Sequence, residues 1–79
     1  MDCLINLVNG DYLQKDGSNL VENFVVDTSA VAMVNDSINT KKYHGIVKAR
    51  VIDYMNIQYD NPDHRGNIIA WLFCDLKTK

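Results

Sequence analysis

The chain has 79 residues, 47% of them hydrophobic, and a formal net charge of −2. That is one small domain, with no room for a second. The acid excess argues against sequence-independent coating of nucleic acid, which needs a surplus of Lys and Arg. No apolar run approaches the roughly 20 residues of a membrane span. Met1-Asp2-Cys3-Leu4 carries no basic stretch of a secretory signal, so the expected location is the cytoplasm.

Composition leans toward strands. Eight Val and seven Ile stand against six Leu and four Ala. Val and Ile suit pleated, half-buried surfaces. The single Glu, Glu22, is outnumbered by nine Asp and nine Asn. Asp and Asn compete with helical hydrogen bonds and favour turns. The expected fold is all-β, a small antiparallel sheet or partly closed barrel of about five strands, near the usual sheet size. The alternative is α+β, with one short helix near 28–35. Six Lys to two Arg, with abundant Asn and Ile, resembles the AT-rich coding bias of many phages and low-GC bacteria.

Residues 3–8 read as a first strand. Asn9-Gly10 is a hairpin signal, because a type I′ turn needs positive φ at both central positions. It predicts a short returning strand at Asp11-Tyr12-Leu13. Asp16-Gly17-Ser18-Asn19 is turn chemistry, and Leu20–Val26 is the next strand. At 27–34 the pattern fits a helical turn capped by Asp27 nearly as well as a turn followed by a short strand. The Val content favours the strand. Residues 35–42 read as a polar loop.

From Ile46 to Tyr59 the residues alternate with period two. Val47, Ala49, Val51, Met55, Ile57 and Tyr59 share one face with Asp53. Lys48, Arg50, Ile52, Tyr54, Asn56 and Gln58 share the other. A bulge at Asp53 would worsen the pattern, so a continuous register is expected. Residues 60–67, with the only Pro, form a turn-rich loop. The last strand, 68–76, is apolar on both faces, which calls for cover on both sides. In so small a chain, a partner subunit is the expected second cover.

Cys3 and Cys74 fall in apolar strand patterns. Without an export signal they are expected to be free, buried thiols rather than a disulfide closing a long loop. They would be neighbours only if the first and last strands pair.

No catalytic constellation emerges. Ser18, Ser29 and Ser37 sit in Asx-rich turn contexts, and neither His44 nor His64 has the spacing of a triad. Cys3, Cys74 and the two histidines lack zinc-site spacing. Asp60, Asn61, Asp63 and His64 lack the order of a calcium loop. No metal and no cofactor is implied.

One patch stands out. Tyr43, His44, Lys48, Arg50, Ile52, Tyr54, Asn56 and Gln58 fall on or near one strand face. Basic and aromatic residues with an outward Ile suit a protein interface, where such residues act as anchors. The expected function is non-enzymatic, a small interaction protein that binds a macromolecular partner and self-associates. A phage-type accessory or inhibitory protein is its sharpest form. An OB- or Sm-like nucleic-acid-binding module is the alternative, and a subunit of a structural assembly is a third.

Overall fold

A computed structural model describes residues 2–54 and 68–79. The strands are β1 (Asp2–Asn9), β2 (Leu20–Asp27), β3 (Ser37–Asn39), β4 (Tyr43–Asp53) and β5 (Ile68–Thr78). They form one five-stranded sheet in the order β2-β1-β5-β4-β3, curled into a half-barrel. The all-β expectation holds. The sheet is mixed rather than wholly antiparallel, because β1 and β5 run parallel while the other neighbours are antiparallel. A parallel pair needs a long crossover, and here the whole intervening chain supplies it.

The concave face holds the core. Cys3, Ile5 and Leu7 of β1 meet Ala70, Leu72, Cys74 and Leu76 of β5 and Val47 of β4. Phe24 and Val26 of β2 pack against them from one edge. These residues alternate along their strands, as a half-buried sheet requires.

Two expectations at the loops are corrected. Asn9-Gly10 does not turn back into a second strand. Asn9 ends β1, and the Gly10 amide donates to the Cys74 carbonyl at 2.9 Å, so the chain keeps running beside β5. The adjacent β5 backbone takes the bond that a returning strand would have taken. Residues 10–19 form a loop held by Asn19. Its amide donates to the carbonyls of Asn9 (3.2 Å) and Tyr12 (2.6 Å), and its Oδ1 accepts from the Gln14 amide (2.9 Å).

The second correction lies at 28–39. Asp27 does cap a 3-10 turn, Thr28–Ala30, accepting from the Ser29 amide at 3.0 Å. No strand follows at 31–34. The Asp36 carboxylate accepts from the Met33 amide at 2.8 Å, and Asn35 takes a left-handed φ of 75°, which closes a turn instead. The next strand, β3, falls at Ser37–Asn39, inside the stretch that reads as a polar loop.

Residues 28–36 thus carry the chain from β2 at one edge to β3 at the other. They cross the concave face, where Val31 and Ala32 pack onto the core. This segment covers the face that the sheet curls around.

Cys3 and Cys74 are both free and buried, as expected. The first and last strands do pair, but Cys3 lies opposite Ile68 and Cys74 opposite Asn9. That offset, from position 3 to position 9 of β1, separates the thiols by about 20 Å at the usual rise per residue. A disulfide needs Cα atoms within roughly 7 Å. Among the described residues, no helix is long and apolar enough to cross a membrane.

Candidate functional site

Strand β4 decides where the candidate residues point. Val47 pairs with Cys74 and Ala49 with Phe73, which leaves Lys48 as an extra residue. This is a β-bulge, two residues opposite one. Its backbone is satisfied by the crossing segment: the Val47 amide donates to the Asp36 carbonyl at 3.0 Å, and the Asn35 amide donates to the Val47 carbonyl at 2.8 Å.

The bulge overturns the continuous register. Beyond it, Arg50 lies opposite Leu72 and Ile52 opposite Ala70, so both share the concave face with Val47. Val51 and Asp53 pair with Trp71 and Ile69 on the outer face. A one-residue slip exchanges the faces of everything that follows it.

The eight candidate residues therefore do not form one patch. Tyr43 is half-buried against the core. His44 is exposed, opposite Lys77. Lys48 is exposed at the bulge. Arg50 and Ile52 are half-buried on the concave face, and Tyr54, just past the strand, is 61% exposed. Asn56 and Gln58 lie outside the described residues, as do the loop 60–67 and positions 55–59 of the long alternating stretch.

What the structure brings together instead is Arg50, Ile52 and Tyr54 with Cys3, Thr28, Val31 and Ile68, around a cavity of about 90 Å³. The Arg50 guanidinium enters this apolar setting without a carboxylate partner among the described residues. Its Nη1 donates to the Met33 sulfur, and its buried Nε has no hydrogen-bond partner among the described residues.

A second surface lies on the outer face. Register aligns Val25, Leu4 and Ile69 across β2, β1 and β5, and aligns Asn6, Trp71 and Val51 across β1, β5 and β4. Val25 is 63% exposed, Val51 50% and Leu4 36%. Ile69, Trp71 and Phe73 are half-buried between them. The two-sided apolar pattern of β5 announced this face in the sequence. Leu4, Val25 and Val51 were missed because each belongs to it only through cross-strand pairing.

The thiols offer little chemistry. Burial pushes the Cys74 thiol up to about 11, and burial likewise raises Cys3. A thiolate is the reactive form. Among the described residues, no three His, Cys, Asp or Glu side chains gather as a metal site. A groove of about 670 Å³ along β3, β4 and β5 is lined by charges of both signs, with Asp75 alongside Lys77 and Lys79.

Comparison with known protein families, with curated protein sequences and with solved structures returned no match.

Proposed function

We propose that this chain is a non-enzymatic interaction protein that binds a protein partner through the outer face of its sheet. The observation that carries this reading is the apolar surface Val25, Leu4, Ile69, Trp71 and Val51, spread over four adjacent strands and partly open to water. Scattered surface apolar residues need no explanation, but a contiguous set marks an interaction site.

The chemistry of the patch favours protein over nucleic acid. It holds a Trp and aliphatic side chains and no Lys or Arg, and the chain as a whole is acidic. Aromatic and aliphatic anchors with few charges match the centre of a protein interface. Nucleic-acid grooves need cations along the backbone path. The expectation of an accessory or inhibitory protein belongs to this reading, since a binding face without catalytic groups acts by occupying its partner.

The test compares two substitutions, Val51→Lys on the outer face and Lys48→Ala at the bulge. Both positions are exposed, so both variants are expected to fold. The tagged wild-type chain and Lys48→Ala should retain the same co-purifying protein at one stoichiometry, while Val51→Lys should lose it. Light scattering of the purified chain shows whether that protein is a second copy. Equal retention by all three chains would remove the outer face from the proposal.

A further inference from the structure

We infer that the Arg50 cavity is a recognition site for a single carboxylate on a short aliphatic stem. The site faces the concave side, away from the outer patch, so it stands independently of the reading above.

The first observation is the state of the guanidinium. Its Nε is buried without a hydrogen-bond partner among the described residues, and Nη1 donates to a thioether sulfur. Sulfur is a weak acceptor for so strong a donor. Buried donors are nearly always satisfied, so the Nε of this half-buried side chain is an open donor. A carboxylate is the natural complement, since its two oxygens match the planar fork of an arginine.

The second observation is the container. The cavity measures about 90 Å³. That admits a carboxylate with a carbon or two behind it and is far below the several hundred Å³ of ordinary ligand sites. Thr28 and Tyr54 bring hydroxyls that can donate to an oxygen, while Val31, Ile52 and Ile68 offer aliphatic walls for the stem. Arg50 is the only cation among the described lining residues. One positive charge matches one carboxylate better than a doubly charged phosphate.

The third observation is the cover. Met33 is 56% exposed. Its side chain is long and flexible, so it can swing off the guanidinium when a better acceptor arrives. Met33 therefore occupies the place of an oxygen ligand until one binds.

The experiment follows the Arg50 Nε–H signal by NMR in nitrogen-labelled protein, titrated with sodium acetate at constant ionic strength against chloride. Acetate should move this signal saturably, and chloride should not. Inorganic phosphate should need a higher concentration than acetate. Met33→Ala should lower the acetate midpoint severalfold, because the competing sulfur is gone. Acetate should also raise the melting temperature of the wild type and not that of Arg50→Met, which keeps the volume and removes the charge. An Nε–H signal that responds alike to acetate and chloride would overturn the site, whether or not Arg50→Met folds. Tighter binding of phosphate, or an unchanged midpoint in Met33→Ala, would overturn its assignment to a carboxylate held in competition with Met33.

Discussion

Thr40 donates its hydroxyl hydrogen to the Glu22 carboxylate at 3.2 Å, across the mouth of the half-barrel. Glu22 belongs to β2 and Thr40 follows β3, the two outermost strands of the sheet. Strand twist alone curls a sheet, and this bond fixes where the two edges meet. The same hydroxyl oxygen accepts from the Tyr43 amide at 3.0 Å, so it also shapes the turn into β4.

Glu22→Ala should therefore destabilise the domain by about 1.5–3 kcal/mol, the range for a hydrogen bond to a charged group. Glu22→Gln keeps an acceptor and should lose less. Urea unfolding followed by the fluorescence of Trp71 measures both. Equal stability of Glu22→Ala and the wild type would mean that the edges are held by the crossing segment alone.

The bulge at Lys48 makes a sharp contrast between two neighbours. Ile52 packs toward the core and Val51 is half exposed on the other side. Ile52→Ser should cost about 1–3 kcal/mol, because it removes buried apolar surface and places a hydroxyl there. Val51→Ser should stay within about 0.5 kcal/mol, as exposed substitutions do. An unbroken alternation through position 48 would reverse the order of these two losses.

The same pair shows what the sequence made legible. Strand content, the positions of β1, β2 and β5 and the burial of both cysteines follow from composition and period-two patterning, whereas the Asp27 cap belongs to the less favoured of two readings of 27–34. The bulge does not follow from the patterning. Its cause is remote: the backbone of Asn35 and Asp36 binds Val47 and takes it out of the regular ladder. No local pattern around Lys48 encodes that contact. The candidate patch was split for this reason, since Arg50 and Ile52 turn inward while His44 and Lys48 stay exposed. The returning strand at Asp11 failed similarly, because the competing partner, β5, lies more than fifty residues away in the chain.

Gly45 is required by close approach rather than by an unusual φ. A Cβ built there would overlap the Asp75 carbonyl on the neighbouring strand. That atom is backbone within a central pairing, so it cannot move aside cheaply. Gly45→Ala should destabilise by about 2 kcal/mol or more, in the range for overpacking, and should weaken hydrogen-exchange protection along β4 and β5 first. A fully stable Gly45→Ala would show that β4 and β5 can separate locally without cost.

The buried thiols make a prediction about alkaline pH. Cys74 is 1% exposed, and its Sγ sits 3.5 Å from the Leu72 carbonyl oxygen, to which it can only donate. Burial holds its folded value at about 11, whereas an unfolded cysteine titrates near ~8.5. Between those values the native thiol keeps its proton and the unfolded thiol loses it. The unfolded state then binds fewer protons, so stability falls as pH rises through this window. Below it both states are protonated, and Cys74 adds no pH dependence. Urea midpoints taken from pH 8 to 11 should decline less steeply in Cys74→Ala than in the wild type, once each series is referred to its own value at pH 8. Reductant should leave the melting temperature unchanged, because the two thiols are too far apart to bridge. Ellman's reagent should react with neither thiol until the chain unfolds. Parallel declines in the two chains, together with rapid labelling of the native protein, would place Cys74 in contact with water.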